Sequence, residues 1–456
     1  MVACYVTDTI ARNTMALGDG IRRNIAHVDP TERTLLKDAL VAINQQFFPG
    51  IRTDAVPGGV SWWFKQDEIH QATHVHGGPE FIPWHREIVN RLEDMLRQIN
   101  PQLSLHYWDW TEDPRAIPNA NLGGGTTGLL NLFTPAFMGY GGLASAPIDE
   151  PWKSAGYYVP TAVQHRDATG NPADPPNTVV RNVSGGPTAA ANDAAILSAL
   201  NYPSMRGLLE GVHNAMHGFV NMGGTHISFR DPFVFLLHSN MDRLYARWQT
   251  DPAHPERLDA NFVYGTNGTA LNVNIEPWSS GSGGVIRPWS TVADGEPGVP
   301  KTYKHPSLIV PPLYDTSNRK LDVLVHLQGI GDVAGLGDQF AGTRGQSRRL
   351  EGFQLQFNPL IPGLGMRYMA HLQGIGDVPF VNAGNFIGTR GQSRRLEGFA
   401  IQLTGPLAAY FNVVYMAHLQ GTGDSSFFQN GQFCGTRGQS RRVEGILVRV
   451  SPKTYR

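Results

Sequence analysis

Three near-copies of one phrase close this chain: His326-Leu-Gln-Gly-Ile-Gly-Asp332, His371-Leu-Gln-Gly-Ile-Gly-Asp377 and His418-Leu-Gln-Gly-Thr-Gly-Asp424. Their first histidines stand 45 and 47 residues apart (326 to 371 to 418), and each copy is followed by Gly-Thr-Arg-Gly-Gln-Ser-Arg-Arg, beginning at Gly342, Gly388 and Gly435. A unit of that length cannot bury an apolar face alone and must stack on its neighbours. Segments such as Phe399-Ala-Ile-Gln-Leu403 alternate apolar and polar, the period of a strand, and the glycines mark turns. Three all-β units bury their faces best by closing around a pseudo-threefold axis. Residues 316–456 are therefore expected to be an all-β domain of β-prism or β-trefoil-like type, and the pattern does not choose between the two. A chain of 456 residues is too long for one core, and its composition changes near 315, which sets a first domain at 1–315.

The first domain reads as helices between long Gly-, Pro- and Asn-rich loops. Asp29-Pro30 starts a helix over 30–46, with Leu35, Leu36, Ala39, Leu40 and Ile43 on one face. Further helices are expected over 60–74, from Arg86 to Ile99 with Pro101 stopping it, over 204–222 before Gly223-Gly224, and from Asp231-Pro232 to about Gln249. Residues 111–200 show weak periodicity and read as loop.

Eight of the sixteen histidines fall in two windows, 70–85 and 213–238: His70, His74, His76, His85, His213, His217, His226 and His238. One histidine alone is most simply a satisfied side chain; this clustering is not. His213 and His217 are four apart on a helix, so both rings leave one face and can share a metal. Asn214 stands where a zinc protease carries glutamate. His238 lies four before Asp242, whose carboxylate is expected to accept the second ring N–H of a ligating histidine. Three imidazoles without carboxylate or thiolate suit copper, zinc or iron. His70, His76 and His85, with His74 as a spare, offer a second set, which makes a pair of like metals plausible. The only cysteines, Cys4 and Cys434, exclude a thiolate cluster.

Four phrases carry a resemblance. Phe81-Ile-Pro-Trp-His85-Arg resembles the first copper motif of the tyrosinases, and Tyr107-Trp-Asp-Trp110 the segment that follows it. Leu209-Glu-Gly-Val-His213-Asn-Ala-Met-His217 and Asp231-Pro-Phe-Val-Phe-Leu-Leu-His238-Ser-Asn-Met-Asp-Arg243 resemble the second copper motif. The resemblance spans about residues 20 to 315 and implies two copper ions in a four-helix bundle of the tyrosinase/hemocyanin type. His70, His76 and His85 would hold one ion, with His74 competing for the place of His70; His213, His217 and His238 would hold the other. It also implies a copper oxidoreductase that ortho-hydroxylates monophenols and oxidises catechols to o-quinones with dioxygen. Catechol oxidases, o-aminophenol oxidases and hemocyanin-like oxygen carriers share the centre and remain alternatives. Glu210 and Asn214 resemble the pair that holds a water able to deprotonate the incoming phenol, and their presence points to the full tyrosinase. No cysteine lies near His74 and His76, so the thioether of many relatives is absent. Val234 stands where the family usually has phenylalanine, which leaves the ring contact beside the metal open. Gly218, after His217, implies an open mouth for large phenols.

The C-terminal repeats resemble the hydrophobic repeats of bacterial surface proteins, with Asp332, Asp377 and Asp424 in place of their usual tryptophan, and suggest a bacterial source. His326, His371 and His418 read as structural, although convergence on the axis would let them bind an ion. This domain would bind glycans, assemble the protein into a homo-oligomer, or cover the copper pocket with Phe427-Phe428. With 37 basic and 38 acidic side chains, no nucleic-acid or membrane partner is indicated. The first residues do not read as a signal peptide, and a cytoplasmic location is expected.

Overall fold

A computed structural model describes residues 17–18, 20–46, 61–63, 66–67, 70, 76–79, 81–139, 152, 186, 190–220, 228–258, 263, 311–317, 320–337, 339–358, 360–361 and 363–452. His74, His226 and Gly223-Gly224 lie outside them. Compact packing divides the chain into Met1–Tyr245 with Tyr264–Tyr303, and Ala246–Val263 with Lys304–Arg456.

Helix α1 (Pro30–Asn44) starts where Asp29 accepts the Thr31 N–H and proline fills the first turn. Residues 62, 63, 66, 67 and 70 are helical within the expected 60–74 segment. Helix α2 (Phe81–Ile99) begins five residues earlier than expected. Pro83 falls in its first turn, where a missing N–H removes no helical bond, so His85 stands on the helix and not in a preceding loop. The stretch expected as loop over 111–200 contains a hairpin, β1 (Ile117–Gly123) with β2 (Thr126–Leu130), and a short helix α3 (Asp193–Ser198). Three consecutive glycines make the hairpin turn, and its strands lack clean alternation, which is why periodicity missed it. Helices α4 (Tyr202–Val220) and α5 (Phe233–Gln249) follow; Asp231 accepts the Phe233 N–H at the start of α5. Trp63, Trp84, Trp108 and Trp110 are fully buried among these elements. Among the described residues, no helix is long and apolar enough to cross a membrane.

The C-terminal region is strand-rich and repeats one plan. In the first repeat β3 (Lys320–Leu327) pairs with β4 (Gly331–Leu336) and with β6 (Leu350–Asn358), while β5 (Ala341–Gly342) stands apart from its own sheet. The second has β7 (Gly365–Leu372), β8 (Gly376–Asn382), β9 (Ile387–Gly388) and β10 (Leu396–Thr404). The third has β11 (Phe411–Leu419), β12 (Gly423–Asp424), β13 (Phe428–Gln429), β14 (Cys434–Gly435) and β15 (Val443–Pro452). One two-residue strand of each repeat is lent to the preceding repeat: β9 pairs with β6, β14 with β10, and β5 with β15. The third pairing closes the ring. Phe353, Tyr368, Phe399 and Tyr415 are fully buried, with successive centroids 5.1, 5.4 and 5.5 Å apart in the order Tyr368–Phe353–Phe399–Tyr415.

One backbone crossing makes each loan. Gly388 has φ +116°, and a Cβ there would stand 2.4 Å from the Glu351 carbonyl oxygen and from Gly352 Cα. Gly342 and Gly435 repeat this against Gly445 and Gly398. Charges reinforce the seams. Arg390 pairs with Asp332, Arg437 with Asp377 and Arg344 with Asp424, each linking two repeats, while His326, His371 and His418 each meet the same aspartate at 2.6 Å. These histidines are thus partners of their own hairpin's aspartate and do not form a metal cluster among the described residues. Gly388→Ala is expected to destabilise the intact protein by about 2–4 kcal/mol, whereas Gly391→Ala, where a Cβ meets nothing within 4 Å, costs about 1 kcal/mol of backbone strain; denaturant unfolding measures both.

Candidate metal centre

Five of the six histidines singled out above stand on helical residues. His85 is on α2, His213 and His217 on α4, His238 on α5, and His70 at a helical position; His76 lies in the segment just before α2. They gather as two triads, His70–His76–His85 and His213–His217–His238, the candidate ligand atoms within each lying no more than 4.8 Å apart. The triads face each other. His85 and His238 stack with centroids 5.0 Å apart and planes 7° from parallel, and His85 and His213 are 5.8 Å apart.

Backbone geometry decides which ring nitrogen looks inward. His85 Nδ1 donates to the Phe81 carbonyl at 2.7 Å, and His238 Nδ1 to the Val234 carbonyl at 2.8 Å, each one turn back on its own helix. A carbonyl only accepts, so each ring carries its proton on Nδ1 and keeps a lone pair at Nε2. His213 Nδ1 likewise donates to Asn214 Oδ1 at 2.9 Å. Burial, then the neighbouring imidazoles, push the pKa of His85, His213 and His238 well below the usual histidine value, so the rings stay neutral.

The consequence is a set of lone pairs aimed at one another. His213 Nε2 stands 3.0 Å from His238 Nε2 and 2.9 Å from His217 Nε2. With the Nδ1 protons spoken for, His213 and His238 turn two acceptors together, an arrangement that only a cation makes favourable. His85 Nε2 is buried with no hydrogen-bond partner among the described residues. Three neutral nitrogens with no carboxylate or thiolate form a borderline-soft donor set, which fits copper.

Asp242 does not take the part expected of it. His238 Nδ1 is already satisfied by Val234, and Asp242, one turn further on, accepts from Arg86 and, at 3.3 Å, from Arg22. Arg22 in turn meets Glu93 at 2.9 Å, so a buried charge network ties α2 to α5 behind the histidines. Glu210 and Asn214 are one turn apart on α4. Glu210 Oε1 accepts the Gly77 N–H at 2.7 Å, and its Oε2 pairs with Arg206 at 2.7 Å. Asn214 is exposed apart from its bond to His213.

Sequence reasoning left the ring contact open, and Phe229 supplies it. Fully buried, it lies 4.6 Å from His70 and 4.6 Å from His238, one ring of each triad. Phe81 adds contacts at 4.7 Å to His85 and 5.0 Å to His213. Phe233 and Phe235, beside Val234, pack instead on Trp108 and Trp63. Phe81 lies in the phrase that resembles the first copper motif, whereas nothing in the sequence spacing marks Phe229.

Burial pushes the Glu93 carboxyl up, but Arg22 and Arg97 pull it down to about 2. A carboxyl whose folded pKa is depressed stabilises the fold above its unfolded value near ~4.3 and loses that contribution as pH falls toward 2. Glu93→Gln should therefore lower stability near pH 7 by about 2–4 kcal/mol and flatten the decline between pH 4.5 and 2, both read from denaturant unfolding at a series of pH values.

Known proteins match both regions of the chain in sequence. The family model described as the common central domain of tyrosinase matches residues 60–251. The clostridial hydrophobic W model matches residues 326–359, 371–405 and 418–452. A tyrosinase of Streptomyces lincolnensis is 28% identical over 232 residues, covering 45% of this chain and 75% of the relative. A tyrosinase of Streptomyces antibioticus is 26% identical over 294 residues, covering 59% of this chain and 93% of the relative. A hemocyanin of Enteroctopus dofleini, G-type units Oda to Odg, is 24% identical over 244 residues, covering 51% of this chain and 8% of that protein.

Proposed function

The chain belongs to the tyrosinase family and is a copper oxidoreductase; from that premise we propose that it is a full tyrosinase, hydroxylating monophenols and oxidising catechols to o-quinones with dioxygen. We assign one copper to His70, His76 and His85 and the other to His213, His217 and His238. A bound copper pair would supply the site at which dioxygen is reduced and would relay to it the electrons that the phenol or catechol gives up on oxidation. The observation that carries the reading is the facing of two all-imidazole triads, in the second of which His213 Nε2 stands within 3.0 Å of both His238 Nε2 and His217 Nε2.

The protein's own residues prepare that site. The Phe81 and Val234 carbonyls hold His85 and His238 in one tautomer, and Phe229 fills the space beside one ring of each triad. A free phenol has a pKa of ~10, so hydroxylation near neutral pH profits from a nearby proton acceptor. Glu210 and Asn214 are the residues we assign to the entering phenol, on the resemblance given above. Gly218 is exposed beside His217, and a Cβ there would meet nothing within 4 Å, which supports access for a bulky substrate. That openness favours an enzyme over an oxygen carrier, the reading that the hemocyanin likeness keeps in view. We read the histidine-bearing helical segments as a four-helix bundle, and the three sheets of the C-terminal ring, two of four strands and one of five, as a prism.

Oxygen uptake by the copper-loaded, full-length protein decides among these. Turnover of both tyrosine and a catechol supports the tyrosinase; turnover of the catechol alone makes it a catechol oxidase. Reversible oxygen binding without turnover makes it a carrier. Gly218→Ile is expected to raise KM for a bulky phenol several-fold while leaving kcat for a small catechol within about twofold, since one side chain in a pocket mouth is worth about 1–3 kcal/mol.

A further inference from the structure

Helix α4 carries two ligands of the second triad, yet two of its other side chains reach to the segment that carries a ligand of the first. Glu210 accepts the Gly77 N–H at 2.7 Å, and the Tyr202 hydroxyl donates to the Pro79 carbonyl at 2.6 Å. Between these two anchors runs His76-Gly77-Gly78-Pro79.

This segment is poorly able to hold its own shape. It has two adjacent glycines, and Gly77 takes φ +72° with open space where a Cβ would stand. Glycine is needed there for its conformation, and such backbone is costly to order. His76 is also the one member of its triad that is not buried. A hydrogen bond from a backbone N–H to an ionised carboxylate is among the stronger kinds, and this one acts on the residue next to the ligand. Arg206 Nη1, at 2.7 Å from the other carboxylate oxygen, keeps Glu210 aimed. One turn along, Asn214 orients His213 in the same way, through Nδ1.

We propose that Glu210 is a positioning residue for His76: by holding Gly77 it sets the first triad from the helix that carries the second. The inference rests on the dicopper reading and goes beyond it, because this holding role is separate from any proton that Glu210 takes from a phenol. A single helix then registers both triads, with Glu210 acting on one and Asn214 on the other.

Two substitutions separate holding from proton transfer in the copper-loaded, full-length protein. Glu210→Gln keeps an oxygen for the Gly77 N–H but is no base; Glu210→Ala removes the acceptor. Copper per chain is measured after competition with a chelator, together with kcat and KM for a catechol, which does not need phenol deprotonation by Glu210. The wild type and Glu210→Gln are expected to keep two coppers against the chelator. Glu210→Ala is expected to hold one of the two roughly 10- to 100-fold more weakly, with catechol kcat falling in step. Tyr202→Phe, which deletes only the hydroxyl bonded to Pro79, is expected to weaken the same copper about fivefold and guards against misfolding of the alanine variant. Unchanged copper retention in Glu210→Ala, or equal loss in the glutamine and alanine variants, overturns the proposal. Failure of the wild type itself to hold two coppers would instead overturn the dicopper reading.

Discussion

The centre depends on where two imidazole protons are kept. His85 and His238 each give Nδ1–H to a carbonyl one turn back on their own helix, so the helical backbone fixes both tautomers without recruiting a side chain. Burial keeps the rings neutral. Neutral rings with inward lone pairs repel one another mildly and gain much from a cation, so the imidazoles alone do not favour this geometry. That geometry must be held from behind. Arg22, Arg86, Glu93 and Asp242 do so, locking α2 against α5 with charges that are each matched by an opposite one. Removing one partner of such a buried group costs far more than the pair contributes.

The C-terminal ring solves a different problem by repetition. A repeat with an unpaired edge would invite association with another chain. Here each repeat lends one short strand to the preceding repeat, and the loan from the first to the third closes the circle. The Asp–Arg pairs across the seams are exposed and individually weak, so their part is to set register more than to supply stability. Glu351, Glu397 and Glu444 differ: nearly buried beside Arg349, Arg395 and Arg442, they meet their arginines at 2.7–2.9 Å.

Much of this was legible in the sequence because the chemistry forced residue type and spacing together. Histidines four apart on a helix, Asp29-Pro30 and Asp231-Pro232 as helix starts, and a glycine phrase repeated three times each leave a local signature. What escaped was decided by contacts distant in sequence. Phe229 belongs beside His70 and His238 only once three segments meet. Asp242 looked like a histidine partner by its spacing, but the backbone had already satisfied that ring and the arginines of other segments claimed the carboxylate. The α2 start at Phe81 lies ahead of the apolar spacing that marks 86–99, with Pro83 in its first turn, where proline removes no hydrogen bond. The β1–β2 hairpin was hidden by its three-glycine turn and irregular register.

The most direct test of the central claim is the electron paramagnetic resonance spectrum of the full-length protein carrying measured amounts of copper(II). Six histidines that hold two adjacent ions predict two coppers per chain with almost no signal, because neighbouring copper(II) spins joined by a bridging ligand cancel. One copper per chain, or two that each give a full signal, would contradict the account.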